Sequence, residues 1–227
     1  SGYEEDGCLE LYSDFYTHNS GTMEKESEVE FSKRLASDLE NLIEKEGAEN
    51  IGAFIAEPLM GAGGVILPPK KYFSLIQPIL KKNNILLIAD EVICGFGRTG
   101  KNFAHQLYNV KPDIMGCGKA AGGGILPVSF VAGRDDVIGV LTPGTEGSTF
   151  GGYPLASVVG VYAIKTLIDQ NLTHNARQRG AQLMSGLNRI KDEFSDKIKI
   201  VRGKGLLTAF EMYNNPHLDG HEVSVQY

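Results

Sequence analysis

The sequence predicts an α/β fold with a mostly parallel sheet flanked by helices. Residues 51–56 and 85–89 are short apolar runs, typical of strands that are buried on both faces of a sheet. A helical segment at residues 70–83 lies between them. A strand, a helix and a strand within about forty residues form a βαβ unit, whose strands are parallel. We therefore expect both strands to end at the same edge of the sheet.

The amino-terminal elements follow from hydrophobic spacing. Residues 27–46 carry apolar side chains about one helical turn apart, which predicts an amphipathic helix. Ser27 and Glu30 form a candidate capping box at its start. Residues 1–26 are polar and have no clear period, so no element is assigned to them.

The remaining elements are predicted in chain order: a short helix or turn at residues 103–110, a brief strand at 112–116, a strand at 125–133, a largely apolar helix at 154–169, a charged amphipathic helix at 172–194 and a short strand at 198–202. The helix at 154–169 has little polar face, so we expect it to be buried or to link two domains. The change to charged sequence after it predicts one domain over residues 1–171 and the beginning of another over 172–227.

Composition excludes several classes of protein. The chain has 227 residues, 42% of them hydrophobic and 22% charged, which is ordinary for a globular protein. A net charge of −6 argues against nucleic acid or an anionic membrane as the principal partner. No apolar run approaches the roughly 20 residues that span a bilayer. Cys8, Cys94 and Cys117 lack the spacing of a disulfide framework or a metal site. No targeting signal is visible, so we expect an intracellular protein, cytoplasmic or in the mitochondrial matrix.

Two residues carry the functional prediction, Asp90 and Lys119. Asp90 ends a predicted strand before a glycine-rich loop, and ligands of open α/β sheets bind beyond such strand ends. Lys119 lies among glycines and alanines, with no other charge within five residues on either side. Poor solvation lowers the pKa of an ammonium group and makes its amine nucleophilic. An aspartate at a strand end can also be a helix cap, and a glycine-flanked lysine can lie on a surface loop.

The two motifs together resemble a known family. Ile88-Ala-Asp90-Glu91-Val-Ile-Cys-Gly-Phe-Gly-Arg98-Thr-Gly, with Gly118-Lys119-Ala-Ala-Gly-Gly-Gly placing its lysine 29 positions after Asp90, is similar to the class III (ω-type) aminotransferases, which depend on pyridoxal 5′-phosphate (PLP). The resemblance implies the large domain of PLP-dependent transferase fold type I, followed by the beginning of a small C-terminal α+β domain. It implies that Lys119 forms a Schiff base with PLP and that Asp90 keeps the pyridine nitrogen protonated.

The resemblance extends to further cofactor contacts. Val92 lies two residues after Asp90, on the same side of an extended chain, and is expected to lie flat against the ring. Glu57 is expected beside the cofactor, although a strand-end cap is the alternative. Ser148 and Thr149 stand in a glycine-flanked turn whose hydroxyls and amides suit a phosphate, although an ordinary turn would look the same. By resemblance Thr149 reaches the cofactor of a neighbouring subunit, which implies a homodimer with sites at the interface.

The resemblance also identifies what the family has and this sequence lacks. Members carry a further segment before the first strand, with a glycine-serine turn for the phosphate and an aromatic ring that stacks on the pyridine. Nothing in residues 1–50 matches it. The small domain breaks off after its first strand. The chain is therefore expected to be an internal fragment of a subunit.

The predicted activity is transfer of an amino group from an amine or (ω-)amino acid to a 2-oxo acid such as pyruvate, glyoxylate or 2-oxoglutarate. The loop that contains Ala62 is similar in sequence to the branch of the family that uses pyruvate or glyoxylate as acceptor. The segments at residues 146–152 and 202–207 resemble the ornithine and acetylornithine branch instead. Three alternatives stay open: an ornithine or acetylornithine aminotransferase, an aminomutase or decarboxylase of the same fold, and a catalytically inactive fragment or subunit.

Overall fold

The computed structural model describes residues 27–213 and the strand Ser224–Gln226. The chain divides into two compact units, Ser1–Phe54 with Pro68–Leu86 and Ile55–Leu67 with Leu87–Tyr227. The domain boundary predicted at residue 171 stays a prediction. Within the described residues, every helix is too short or too polar to cross a membrane.

The first unit contains two helices that pack against each other. Helix α1 is Glu28–Glu46, and helix α2 is Tyr72–Lys82. The predicted capping box is confirmed, because the Ser27 hydroxyl accepts the Glu30 N–H at 3.3 Å and the Glu30 carboxylate accepts the Ser27 N–H at 2.9 Å. Each helix buries one apolar face, made of Phe31, Leu35, Leu39 and Ile43 in α1 and Tyr72, Phe73, Ile76 and Leu80 in α2.

The central feature of the chain is a four-stranded sheet with the order β1-β2-β3-β4. The strands are β1 Ala53–Ala56, β2 Leu86–Asp90, β3 Ile114–Cys117 and β4 Phe130–Gly133. Strands β2 and β3 are parallel and place Asp90 opposite Gly116, whereas β4 runs antiparallel to β3. The predicted α/β class with a mainly parallel sheet is confirmed.

The strand predicted over residues 125–133 is shorter than expected. Only Phe130–Gly133 pairs with β3. The preceding residues turn instead: Lys119–Gly122 forms a short 3-10 helix, and Ile125 donates its N–H to Gly122. Apolar content alone did not separate this turn from the strand. The short helix or turn predicted over 103–110 is present as the 3-10 helix Ala104–Leu107.

Three helices follow β4: α3 Asp135–Ile138, α4 Pro154–Asp169 and α5 Leu172–Glu193. The bounds of α4 agree with the prediction. Of its two predicted settings, burial does not hold among the described residues, and a link between two domains stays a prediction. Its only buried position there is Gly160, which packs on Val128 and Ala121. Helix α4 carries apolar side chains on all of its sides. The described chain buries it only at Gly160. Its large apolar side chains are therefore exposed, among them Leu155, Val158, Val161, Tyr162 and Ile168.

The last strands form a second, antiparallel sheet of β5 Ile198–Lys204, β6 Leu207–Met212 and β7 Ser224–Gln226. Its inner side joins a core cluster of the second unit, formed by Leu59, Val65, Cys94, Ala104, Leu207 and Ala209. Arg202 ties the hairpin to the loop after β1, because its Nε donates to the Gly64 carbonyl at 2.8 Å. These contacts join segments that lie far apart in the sequence.

Backbone meets backbone where helix α5 crosses the tip of the β5–β6 hairpin. A Cβ atom at Gly180 would lie 2.1 Å from the Gly205 carbonyl oxygen. Gly205 has φ +58°, and a Cβ there would lie 2.4 Å from the Thr99 carbonyl carbon. Leu206 donates its N–H to the Arg98 carbonyl at 2.9 Å. Helix, hairpin and loop therefore pack so closely that only glycine fits at the crossing.

Gly180→Ala is expected to lower the free energy of unfolding by about 1–3 kcal/mol or more, because the new methyl group would overlap a backbone carbonyl. Gly186→Ala lies in the same helix, with nothing within 4 Å of the new methyl group. It is expected to raise the free energy of unfolding by about 0.5–1 kcal/mol through helix propensity. Urea unfolding of both variants checks the pair. Equal effects of the two substitutions would contradict the close packing at Gly180.

Candidate active site

The ends of the first three strands bring the predicted charged residues to one region. Glu57 follows β1 directly, Asp90 ends β2 and Lys119 lies two residues after β3. Partial burial raises the pKa of Glu57, and the hydrogen bond from the Gly61 N–H acts to lower this pKa. The negative charge of Asp90 raises the same pKa, and the positive charge of Lys119 lowers it. Because the charges of Asp90 and Lys119 both act on Glu57, we refer to these three residues as one electrostatic cluster.

Asp90 is half-buried and held by a turn. Its Oδ1 accepts the Val92 N–H at 3.0 Å. Its other carboxylate oxygen accepts no hydrogen bond from a described residue. The Val92 side chain lies against Gly118, since a Cβ placed at Gly118 would be 3.5 Å from Val92 Cγ1. Asp90 and Val92 therefore stand together beside the residue that precedes Lys119, with one carboxylate oxygen left for a ligand.

The side chain of Lys119 is exposed in the described chain, so the predicted desolvation of its amine is wrong there. The neighbours on either side are glycine and alanine, which are too small to cover a long side chain. Absence of neighbouring charge in the sequence therefore did not imply burial. Lys119 has φ +44°, in the left-handed region, which costs a non-glycine residue about 1–3 kcal/mol. Such strain collects at functional sites, which agrees with a special role for this position.

The Ser148 and Thr149 turn is separate from this cluster. Gly151 donates its N–H to the Ser148 carbonyl at 2.9 Å, and both hydroxyl-bearing side chains are exposed. No described contact joins them to Asp90 or Lys119. Their predicted role toward the cofactor of a second subunit stays a prediction.

Sequence reasoning assigned no role to Glu91, although its carboxylate is fully buried. It accepts the N–H groups of Ala104 at 2.9 Å and His105 at 2.7 Å, the His105 Nδ1 at 2.9 Å and the Cys94 Sγ at 3.4 Å. The sequence signal that could have indicated its burial is the pair Asp90-Glu91. Successive residues of an extended chain face opposite sides, so if Asp90 faces the site, Glu91 faces away from it. The partners lie 13 and 14 residues away, which the sequence could not show.

A cavity of about 380 Å³ lies elsewhere in the second unit. Its lining contains none of the predicted site residues and is formed by Phe103, His105, Gln106, Pro112, Asp113, Met115, Ala132, Gly133 and Arg134. The Arg134 guanidinium donates to both Asp113 and Asp136. Arg134 is the arginine of the lining, and its guanidinium is already paired with two carboxylates. The cavity therefore offers little positive charge to an anionic ligand.

Glu57→Gln is expected to raise the free energy of unfolding at neutral pH, with a gain that disappears in acid. Burial raises the pKa of Glu57, so the folded chain holds this proton more tightly than the unfolded chain. The ionised carboxylate therefore destabilises the fold above its unfolded pKa of about 4.3. Glutamine keeps an oxygen to accept the Gly61 N–H. Urea unfolding at pH 7 and below about pH 4 measures the difference, with the exposed Glu49→Gln as control. A gain that grows in acid would contradict the raised pKa.

Comparison with known proteins adds independent findings. The family model described as Aminotransferase class-III matches residues 6–224. Gamma aminobutyrate transaminase 2 of Solanum lycopersicum is 43% identical over 197 residues, which cover 84% of this chain and 43% of that protein. Ornithine aminotransferase of Plasmodium yoelii yoelii is 46% identical over 186 residues, which cover 82% of this chain and 44% of that protein. The chain thus spans less than half the length of these curated relatives.

Solved structures agree with the sequence matches. The (S)-enantioselective omega-transaminase from Thermomicrobium roseum aligns with a TM-score of 0.78 at 40% identity, over 83% of this chain and 43% of that one. The omega transaminase from Pseudomonas jessenii in complex with PMP also gives a TM-score of 0.78 at 40% identity, over 86% of this chain and 44% of that one. Both matches extend over most of the described residues.

Proposed function

The chain belongs to the class-III aminotransferases, and from that membership we propose that it carries the PLP-binding centre of a transaminase. The family depends on PLP. The observation that supports the proposal best is the electrostatic cluster of Glu57, Asp90 and Lys119 at the strand ends. The side chain of Val92 stands beside it.

These residues fit PLP by their chemistry. Lys119 offers a primary amine for the aldehyde, and Asp90 offers a half-buried carboxylate with one oxygen that accepts no hydrogen bond from the described chain. Val92 offers a branched apolar side chain that can lie against an aromatic ring. When bound, PLP supplies an electron-accepting ring that stabilises the charge left on a substrate carbon after it loses a proton.

Each residue has a distinct proposed role. Lys119 Nζ would hold the cofactor and, once free, would move a proton to and from the reacting carbon as general base and acid. Asp90 would hold a proton at the ring nitrogen and so stabilise charge that develops mainly in the transition state. Val92 would orient the ring, and Glu57 would lie beside it.

The second subunit belongs to the same proposal. We infer a homodimer in which Ser148 and Thr149 supply hydroxyls to the cofactor phosphate, with Thr149 reaching the neighbouring site. The exposure of both side chains supports this, because they are free to meet a ligand outside the described chain. The exposed apolar surface of α4 is compatible with burial against further protein.

The proposed substrates are an amine or (ω-)amino acid as donor and a 2-oxo acid as acceptor. The relatives' names include gamma aminobutyrate and ornithine, and two solved neighbours are omega-transaminases. The omega-transaminases correspond to the branch that the loop around Ala62 resembles. The ornithine aminotransferase corresponds to the branch that the segments at 146–152 and 202–207 resemble. An ω-amine donor with pyruvate or glyoxylate is the first candidate, and the ornithine type is the second.

A stoichiometric assay tests the activity. The chain is incubated with PLP, a donor (4-aminobutyrate, ornithine or a simple primary amine) and an acceptor (pyruvate, glyoxylate or 2-oxoglutarate). Transamination requires one amino acid product for each 2-oxo acid consumed. Turnover of the donor without an acceptor would identify a decarboxylase or aminomutase instead. No turnover of any pair would support an inactive fragment or subunit.

A further inference from the structure

We propose that the buried Glu91 and the partly buried His105 form a positioning pair, which fixes the orientation of Asp90 and thereby the binding of the pyridine ring. The inference rests on the proposed function. It goes beyond that function because neither residue touches the proposed cofactor contacts Lys119, Val92 or Glu57 through a described hydrogen bond. The pair acts on Asp90 through the backbone that joins Asp90 to Glu91.

The first support is the unusual completeness of the bonding to Glu91. Its carboxylate is 0% exposed, and a buried carboxylate is costly unless hydrogen bonds replace its water. One oxygen accepts the backbone N–H and the Nδ1 of His105, at 2.7 and 2.9 Å. The other accepts the Ala104 N–H at 2.9 Å and the Cys94 Sγ at 3.4 Å. Glu91 thus has no acceptor site left for a substrate and cannot itself move a proton in the reaction.

The second support is that the same bonds close the loop that begins directly after Asp90. Glu91 reaches 13 and 14 residues forward and so joins the end of β2 to the 3-10 turn Ala104–Leu107. Its N–H donates to the Gly116 carbonyl and its carbonyl accepts the Gly95 N–H, both at 2.9 Å. Hydrogen bonds therefore hold the backbone N–H, the backbone carbonyl and the carboxylate of Glu91.

The third support is the thiol that lies between the two acidic residues. The Cys94 Sγ is 3.5 Å from the Asp90 carbonyl and 3.4 Å from the Glu91 carboxylate, so its one weak S–H donor can be shared between them. The Asp90 carboxylate takes its own orientation from the Val92 N–H, which belongs to the same turn. A displacement of this turn therefore moves the carboxylate that would face the ring nitrogen. A misplacement of about 1 Å in such a group can cost about 100-fold in rate.

His105 completes the pair because its ring has a defined orientation. Nδ1 lies 2.9 Å from the Glu91 carboxylate. An ionised carboxylate only accepts hydrogen bonds, so in that state Nδ1 is the donor of this contact. The ring stacks on Phe103 with centroids 5.8 Å apart and planes 16° from parallel. Carboxylate–histidine pairs behind a functional ligand commonly fix that ligand's geometry, and loss of one partner typically costs about 10–100-fold in affinity or activity in metal sites.

The test measures PLP affinity by absorbance titration in five proteins: the wild type, Glu91→Gln, His105→Leu, His105→Asn and the exposed control Glu193→Gln. Asparagine places an amide N–H where the imidazole Nδ1 lies, whereas leucine cannot donate. We expect Glu91→Gln and His105→Leu to raise the PLP dissociation constant about 10-fold to 100-fold. His105→Asn should recover most of the affinity lost in His105→Leu, and Glu193→Gln should match the wild type.

A second readout separates positioning from general stability. The pH profile of the cofactor absorbance reports the ring nitrogen, and it should shift in Glu91→Gln and His105→Leu. His105→Leu should also unfold at a lower temperature than His105→Asn, because it leaves a buried carboxylate short of one donor, so every titration is made well below the unfolding temperature of each variant. Borohydride reduction followed by peptide mapping reports whether Lys119 carries the cofactor. Should Glu91→Gln fail to fold, the two His105 variants still decide the question.

The outcomes are distinguishable. Suppose that the wild type is labelled at Lys119, and that Glu91→Gln and His105→Leu keep the wild-type PLP affinity and pH profile. This result overturns the positioning role and leaves the proposed function standing. Equal losses in His105→Asn and His105→Leu also overturn it, because the hydrogen bond would then be irrelevant. A wild type that takes no label at Lys119 overturns the proposed function and this inference with it.

Discussion

Lys119→Ala is expected to lower the rate of amino transfer by more than about 10⁴-fold. Alanine removes the amine proposed to bind the cofactor covalently, and with it the base proposed to move the substrate proton. Because one atom serves both roles, no neighbouring group replaces it: Glu57 and Asp90, which share its electrostatic cluster, are carboxylates. Residual turnover measured with the best donor and acceptor pair checks the size of the loss.

Lys101→Ala is the matched control for this prediction. Lys101 is an exposed lysine of the same unit and follows the glycine-rich loop that begins after Asp90. Its substitution should leave turnover and PLP binding unchanged. Added methylamine or a similar small amine should restore part of the activity of Lys119→Ala, since it supplies the missing base. Turnover above about 10% of the wild type in Lys119→Ala would contradict the assigned role, because acid–base catalysis alone contributes about 10²-fold or more.

Asp90→Asn is expected to lower kcat by about 10²–10³-fold, the usual effect of removing one group that stabilises transition-state charge. Asparagine has the same shape and retains an oxygen for the Val92 N–H, which lies 3.0 Å from Oδ1 in the wild type. It cannot hold a proton on a pyridine nitrogen, since it carries no negative charge. The loss should therefore fall mainly on kcat, with a smaller effect on the substrate KM.

Steady-state kinetics with a saturating cofactor measures this split. The exposed Asp192→Asn on helix α5 is the control and should keep wild-type constants. Reconstitution with a PLP analogue methylated at the ring nitrogen, which is permanently cationic, should reduce the difference between Asp90→Asn and the wild type. An unchanged difference with that analogue would show that Asp90 acts on something other than the ring nitrogen.

Much of the fold followed from local sequence patterns. The amphipathic spacing of residues 27–46 and the pair Ser27 and Glu30 predicted helix α1 and its cap, both of which the structure contains. The helix bounds 154–169 also agreed. Such features depend on neighbours within a few positions, where propensity and hydrophobic period act directly. The meeting of Glu57 and Asp90 followed from topology, because successive strands of a βαβ unit end at one edge.

The features that were missed depend on contacts between distant residues. The exposure of Lys119 could not be read from its glycine-rich neighbours, because they do not determine which other segments cover it. The burial of Glu91 depends on Ala104 and His105, and the need for glycine at position 180 depends on the carbonyl of Gly205. The shortened strand β4 reflects the turn that ends at Ile125, whose N–H donates to the Gly122 carbonyl, and apolar composition does not distinguish such a turn from a strand.

Covalent capture of PLP tests the central claim most directly. The chain is titrated with PLP, the absorbance near the visible edge is followed, and the complex is reduced with borohydride and mapped by peptide mass spectrometry. A saturable band, with the phosphopyridoxyl group on Lys119 and both signals absent in Lys119→Ala, is the predicted result. Label spread over other exposed lysines, or the same band in Lys119→Ala, would contradict the assignment of this site.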